Sequence, residues 1–228
     1  MSLKLTVIML QFKVPCNIGV FAPTMAGKST LVYDILKKRK QLFDRAVGKI
    51  YYIFGVWTDM YNEMQQYFGK DIVFLPDIPS QEDMKEWCTK EKSKSICIVF
   101  DDHMTSHLPA TLATMYAHHY NCVFINISQN VFHQTKEHRT ISLNLQYMLL
   151  GRMKRDKSQV VVLARQLYPH NPKVFLEAYE DAVSEPFQYL RVDVHPHTDG
   201  RLMLSSHFLE PYPIIYLPKT SHPEPISL

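Results

Sequence analysis

The stretch GVFAPTMAGKST, residues 19–30, is the feature that most limits how this chain can fold. It contains the Gly-Lys-Ser of a phosphate-binding loop, in which backbone N–H groups curl around phosphate oxygens, lysine reaches the terminal phosphates and the hydroxyl holds magnesium. The apolar run at 17–22 predicts a buried strand, and the segment from Ser29 to about Lys40 predicts an amphipathic helix. This order of strand, loop and helix is the one that the motif requires. We predict that the nucleotide-binding residues are Pro23, Thr24, Met25, Ala26, Gly27, Lys28, Ser29 and Thr30.

The first glycine of the motif GxxxxGK[ST] is replaced by Ala22. Ala22 closes the predicted strand, where an extended backbone suits alanine, so the substitution is tolerable if this residue does not need a positive φ. The alternative is that AGKST is only a helix N-terminus with a serine cap. The strand before it and the helix after it favour the nucleotide site.

A second predicted strand, SICIVFDD at 95–102, ends in two carboxylates. A phosphate loop needs such a strand end to hold magnesium, usually through water. We assign Asp101, together with Ser29, to the metal, and Asp102 to polarisation of the attacking water. The alternative is that the paired aspartates merely begin a solvated turn.

The next apolar strand, VFINISQN, ends in Gln129 and Asn130. In the additional-strand P-loop ATPases, a strand between the loop strand and the acidic strand carries a polar residue that senses the γ-phosphate. We predict this sensor role for Gln129. Together with the loop and the acidic pair, it favours hydrolysis of a nucleoside triphosphate over phosphate transfer to a small acceptor.

Short β-branched runs alternate with longer helical patterns along the chain, which is typical of a sheet with crossover helices. Together with the phosphate loop, the acidic strand end and the sensor strand, this pattern predicts an α/β P-loop NTPase of the additional-strand (ASCE, RecA-like) type. Its central sheet is mostly parallel, with helices on both faces and a C-terminal hairpin formed by PFQYLRVDV and RLMLSS. We expect residues 1–210 to form a single ATPase domain. Because five of the 18 residues at 211–228 are proline, we expect an extended arm or tail there.

Composition excludes some partners and compartments. The formal net charge is only +3, from 25 basic and 22 acidic residues, so any contact with DNA must be local. The four cysteines form no CxxC pair, which indicates a reduced, intracellular protein. The first 15 residues form neither a convincing signal peptide nor a membrane span, and we expect no membrane partner.

Taken together, these motifs resemble the FtsK–HerA class of P-loop motors. Within that class they are similar to the viral genome-packaging ATPases of the poxvirus-type and Maverick/Polinton or adintovirus kind. The resemblance runs from VPCNIGVFAPTMAGKST to PFQYLRVDV. Its more specific parts are SQNVFHQTKEHRTISLNLQYMLL and DKSQVVVLARQLYP, because phosphate loops are shared by many unrelated functions.

The resemblance implies a homo-oligomeric ring that hydrolyses ATP with Mg²⁺ and threads double-stranded DNA into a preformed capsid. The partners implied are double-stranded DNA and the viral capsid or its portal vertex. The location implied is intracellular, in the host nucleus or at a viral assembly site, with association with the virion as a further option. Carried over by position, Lys28 and Ser29 bind phosphate and magnesium, Asp101 binds magnesium, Asp102 activates water and Gln129 is the sensor.

Such rings also use an arginine from the neighbouring subunit to stabilise charge in the transition state. The resemblance offers two candidates, Arg139 and Arg155. We favour Arg155 because it follows the fifth strand, near the place where the motor family carries this arginine.

Two other functions remain open at the level of sequence. A nucleoside or polynucleotide kinase also pairs a phosphate loop with an aspartate at a strand end, but usually needs an arginine-rich lid, and the basic residues here form no such cluster. A nucleotide-binding interaction protein without turnover is the other alternative. The intact loop, acidic pair and sensor position argue against it.

Overall fold

The computed structural model describes residues 10–90, 94–101, 121–132 and 141–218. Within these residues the strands are β1 (Cys16–Phe21), β2 (Val47–Phe54), β3 (Ile72–Leu75), β4 (Ser95–Asp101), β5 (Val123–Ser128), β6 (Tyr147–Leu150), β7 (Leu190–Asp193), β8 (Leu204–Ser206) and β9 (Ile214–Ile215). The helices are α1 (Lys28–Lys37), α2 (Arg39–Leu42), α3 (Asp59–Phe68), α4 (Gln81–Lys90), α5 (Ser158–Leu167) and α6 (Pro172–Ala182).

All of these strands belong to one sheet, in the order β3-β2-β4-β5-β1-β6-β7-β8-β9. The pairs from β3 to β6 are parallel, and the pairs from β6 to β9 are antiparallel. Strand β5 lies between β1 and β4, which is the arrangement of an additional-strand P-loop protein. The predicted fold class is confirmed.

Helices cover both faces of the sheet, because successive side chains of a buried strand point to opposite sides. In β4, Cys97 and Val99 pack in the same cluster as α1 and α3. Ile98 and Phe100 point the other way, into the cluster that contains α4. Helices α5 and α6 pack on that second side, against β6 and β7.

Local signals in the sequence place some helix ends. Helix α4 begins with reciprocal hydrogen bonds in which Asp83 N donates to Ser80 Oγ at 3.1 Å and Ser80 N donates to Asp83 Oδ2 at 3.1 Å. In this capping arrangement, a side chain and a backbone N–H at each of the two positions satisfy each other. Helix α6 carries a proline in its first turn, where the missing N–H costs no helical hydrogen bond.

The predicted C-terminal hairpin is confirmed as β7 and β8. The first part of the predicted arm then adds β9 to the edge of β8, and the Tyr216 hydroxyl donates to Asp181 Oδ2 at 2.7 Å. The domain boundary at residue 210 stays a prediction. All four cysteines are free thiols in buried positions. Among the described residues, no helix has the length and apolar character needed to cross a bilayer.

Candidate nucleotide-binding site

The loop between β1 and α1 reverses direction through two residues in the left-handed backbone region. Met25 has a φ of 63° and Gly27 a φ of 80°. Left-handed residues in a turn bring neighbouring N–H groups to one side and create a concavity that binds anions. A methionine side chain disfavours this backbone conformation. Because Met25 is 92% exposed, packing in the core does not explain why the residue adopts it. Such outliers are concentrated in functional loops.

The N-terminus of α1 completes the anion site. The first helical hydrogen bond runs from Leu31 N to Gly27 O at 2.9 Å, so the amides of the preceding residues have no helical acceptor. No side chain caps this terminus. Lys28 is buried and its Nζ donates to the carbonyl of Pro23 at 3.0 Å, across the loop. The aligned amides and the buried ammonium together favour a bound anion at this point.

Ala22 fits because a glycine lies opposite its methyl group. Ala22 is fully buried and is not among the residues with positive φ, as the sequence required. Gly151 follows β6, and its amide donates to Phe21 O at 2.8 Å. A Cβ on Gly151 would lie 2.8 Å from the Cβ of Ala22. Gly151, which has no side chain, therefore leaves room for the methyl group that Ala22 adds at the first glycine position of the motif.

Asp101 ends β4 at the same edge of the sheet, and two tyrosine hydroxyls hold its carboxylate. Tyr52 donates to Asp101 Oδ2 at 2.6 Å and Tyr61 donates to the same oxygen at 3.0 Å. All three side chains are buried. Burial, with the neighbouring carboxylate, raises the pKa of Tyr52 well above its usual value, so its hydroxyl remains a donor at neutral pH.

Asp101 faces the side of the sheet that α1 covers. Its position alternates with Phe100 and matches Val99, which packs with α1. Strand β4 is two strands away from β1, or about 10 Å at the usual spacing of strands. Ser29, in the first turn of α1, and Asp101 therefore share one face and one edge of the sheet.

The donor set fits magnesium. A serine hydroxyl and a carboxylate are the oxygen ligands that Mg²⁺ prefers, with phosphate oxygens and water completing the octahedron. In the described ranges, no three or more His, Cys, Asp or Glu side chains group together as a metal site of their own. The metal assignments of Ser29 and Asp101 stay predictions that this geometry fits.

Gln129 lies where a sensor should lie, immediately after β5 and between the ends of β1 and β4. Its neighbour Asn130 is engaged elsewhere, because Gln159 Nε2 donates to Asn130 Oδ1 at 3.1 Å. Val131 N also donates to Gln159 Oε1 at 2.8 Å, which holds the chain after Gln129 against α5. Of the two polar residues, Gln129 is therefore the better candidate.

Of the two arginine candidates, Arg155 lies within the described residues. Arg155 lies in the exposed connection between β6 and α5, at the edge of the sheet that carries the phosphate loop. Arg152, in the same connection, instead donates to the carbonyls of Val183 and Ser184. Arg139 and the water-polarising candidate Asp102 lie outside the described residues.

Sequence reasoning missed Tyr52, Tyr61 and Gly151 as parts of this site. A usable signal exists for Tyr52, because β2 pairs with β4 so that Tyr52 aligns with Val99 and Phe54 aligns with Asp101. That alignment puts Tyr52 and Asp101 on one face, two positions apart. It can be read only once the two strands are known to be neighbours.

Comparison with known proteins supports the fold. The genome packaging NTPase B204 from Sulfolobus turreted icosahedral virus 2, solved in complex with ATP-γS, matches with a TM-score of 0.53 and 12% identity, over 81% of this chain and 95% of that chain. EssC (ATPases 2 and 3) from Geobacillus thermodenitrificans matches with a TM-score of 0.51 and 16% identity, over 92% of this chain and 41% of that chain. No protein-family model and no curated protein matches the sequence. These likenesses establish an α/β P-loop NTPase fold.

The contact between Ala22 and Gly151 makes Gly151→Ala a sensitive substitution. We expect it to lower the free energy of unfolding by about 1–3 kcal/mol, because the new methyl group would overlap Ala22 and the ring of Tyr189. Urea denaturation measures the change. Adding Ala22→Gly should restore part of the loss. The control Gly200→Ala, where nothing lies within 4 Å of the new Cβ, should change stability by no more than about 0.5 kcal/mol. Equal losses at the two glycines would contradict the account.

The hydrogen bond from the Tyr52 hydroxyl to Asp101 makes a measurable contribution to the free energy of unfolding. Tyr52→Phe leaves the buried Asp101 carboxylate with one tyrosine donor, and we expect unfolding free energy to fall by about 1–3 kcal/mol at pH 7. Tyr67→Phe, at an exposed position of α3, is the matched control and should be neutral. If both variants unfold at the same urea concentration as the wild type, the hydrogen bond to Asp101 does not contribute to stability.

Proposed function

We propose that this chain is an ATP-driven double-stranded DNA translocase that packages a viral genome into a preformed capsid. The observation that carries the proposal is the position of β5, which is followed by Gln129 and lies between the phosphate-loop strand and the strand that ends in Asp101. This order suits hydrolysis, because a polar sensor then lies between the phosphate loop and the acidic strand end. Two likenesses support DNA as the polymer that is moved. The sequence resembles packaging ATPases, and the fold is similar to that of a genome packaging NTPase.

The proposed chemistry assigns one task to each residue. The amides at the start of α1 and the ammonium of Lys28 hold the terminal phosphates of ATP. Ser29 and Asp101 would hold Mg²⁺, which supplies neutralisation of charge on the β- and γ-phosphates. The tyrosine hydroxyls fix the direction of the Asp101 carboxylate. Asp102 polarises the attacking water, and Gln129 detects whether the γ-phosphate is present.

In an oligomeric ring, each subunit would receive a catalytic arginine from its neighbour. The exposed Arg155 lies beyond the end of β6 and would reach the γ-phosphate of an adjoining subunit, where it stabilises charge in the transition state. Turnover would then depend on assembly as a homo-oligomeric ring. The partners proposed are double-stranded DNA and the capsid or its portal vertex, in the host nucleus, at a viral assembly site or in association with the virion, with no membrane partner.

Steady-state ATP hydrolysis with and without long double-stranded DNA tests the proposal. We expect DNA to raise turnover of the wild type, and Lys28→Ala and Asp102→Asn to abolish turnover under both conditions. Lys173→Ala, at an exposed position of α6, is the control and should behave as the wild type. Turnover that DNA does not change would contradict the translocase, and transfer of the γ-phosphate to a nucleoside or polynucleotide would point to a kinase.

Mixing variants tests the role of Arg155. We expect Arg155→Ala and Lys28→Ala chains each to be inactive alone, because one lacks the donated arginine and the other lacks the phosphate-binding lysine. A mixture should recover activity at interfaces where an intact Arg155 meets an intact Lys28. Lys154→Ala, also exposed, should keep wild-type activity. Mixed rings that form and stay inactive would contradict donation of Arg155 across the subunit interface, and wild-type turnover of Arg155→Ala alone would remove Arg155 from the mechanism.

A further inference from the structure

A cavity of about 370 Å³ opens directly beside the phosphate loop. One wall is a single face of α1, from Gly27 to Asp34, and the other walls are residues 187–189 and 207–210. The cavity is within the size range of small-molecule sites. It begins where the loop ends, so a nucleotide with its phosphates on the start of α1 would extend into it. Of the residues in 187–189 and 207–210, only Tyr189, whose ring lies beside Gly151, belongs to the site described above.

Phe187 is the unusual residue of this cavity. Its side chain is 70% exposed and its backbone has a φ of 63°, a left-handed conformation that a bulky residue rarely adopts. An exposed ring in a strained conformation does not contribute to the core, and such outliers mark functional positions. The ring lies over the phosphate loop, because a Cβ on Gly27 would be 2.9 Å from Phe187 Cδ1.

The surrounding contacts hold the segment that carries Phe187 against the loop. The Tyr189 hydroxyl donates to the carbonyl of Ala26 at 2.8 Å, which ties the segment that carries Phe187 to the phosphate loop. On the opposite wall, Glu210 N donates to His207 O at 2.8 Å and closes a turn. Phe208, within that turn, is buried in the same core cluster as α1. Both walls are therefore anchored to elements that position the phosphate loop.

The chemistry of the walls suits a flat heterocycle with polar edges. The ring of Phe187 and the side chain of Leu31 are apolar, whereas Gln188, Asp34 and Glu210 place amide and carboxylate groups around the cavity. Apolar walls with a few polar groups are typical of sites that bind small organic ligands. A nucleobase offers the π-face and the hydrogen-bonding edge that such a site can use.

We propose that this cavity holds the base and ribose of the bound nucleotide, with Phe187 stacked on the base. The inference rests on the proposed function, because it assumes that the loop binds a nucleoside triphosphate. It gives the antiparallel extension β7 to β9 a role, since the segments that enter β7 and leave β8 form two walls of the site. Phe187 is then a binding residue for the base and has no part in holding the phosphates.

Calorimetric binding of Mg·ATP and of inorganic tripolyphosphate with Mg²⁺ tests this inference. For Phe187→Gly and Phe187→Ala we expect the Kd of ATP to rise about tenfold, as loss of one base-stacking contact predicts, with the Kd of tripolyphosphate unchanged. Phe187→Gly should also keep or raise the temperature of thermal unfolding, because glycine adopts positive φ without strain. Tyr67→Ala removes another exposed aromatic ring on a different element and should change neither affinity.

The outcomes separate this inference from the proposed function. If ATP and tripolyphosphate weaken equally in the Phe187 variants, the ring acts on the phosphate loop and the base site is wrong. If neither weakens, Phe187 does not touch the ligand. If the wild type binds neither ATP nor tripolyphosphate, the nucleotide site itself is wrong and both proposals fall.

Discussion

The structure depends on the turn by which the chain leaves β1 and enters α1. Six residues, 22–27, carry the chain from a fully buried strand to the first turn of a helix. The turn brings the N-terminal amides of α1 and the buried ammonium of Lys28 to one point. Positive groups gathered in a partly buried place are costly unless an anion balances them, so the loop is built for a phosphate. Of its two left-handed residues, Gly27 adopts this conformation without strain, and Met25 carries the backbone strain that this geometry requires.

The rest of the sheet arranges polar groups around that point. Because β4, β5 and β1 are parallel neighbours, Asp101, Gln129 and the loop all lie at one edge. Residues outside β4 orient the carboxylate of Asp101, because tyrosines from β2 and α3 donate hydrogen bonds to one of its oxygens. Beyond β6, the antiparallel strands bring a further aromatic ring, Phe187, over the start of α1. The end of the sheet that carries the phosphate loop is thus built from elements that are far apart in sequence.

The sequence predicts those features whose signal is local. Apolar runs locate the buried strands, and the Gly-Lys-Ser motif locates the loop. What it does not predict are contacts that exist only after the strands are ordered. Tyr52 reaches Asp101 across 49 residues because β2 lies beside β4, and Ala22 meets Gly151 because β6 lies beside β1. The left-handed backbone of Phe187 has no sequence signal, because Phe is a residue that usually avoids it.

Amide hydrogen exchange with and without Mg²⁺ and a non-hydrolysable ATP analogue locates the bound nucleotide on the chain. Ligand contact and lost local opening slow the exchange of amides at the site. We expect slower exchange at residues 22–31 and at the carboxyl ends of β4 and β5, with little change in β3, the outermost strand on the opposite side of the sheet from β9. Binding that slows exchange elsewhere and leaves residues 22–31 unchanged would contradict a nucleotide site at the phosphate loop.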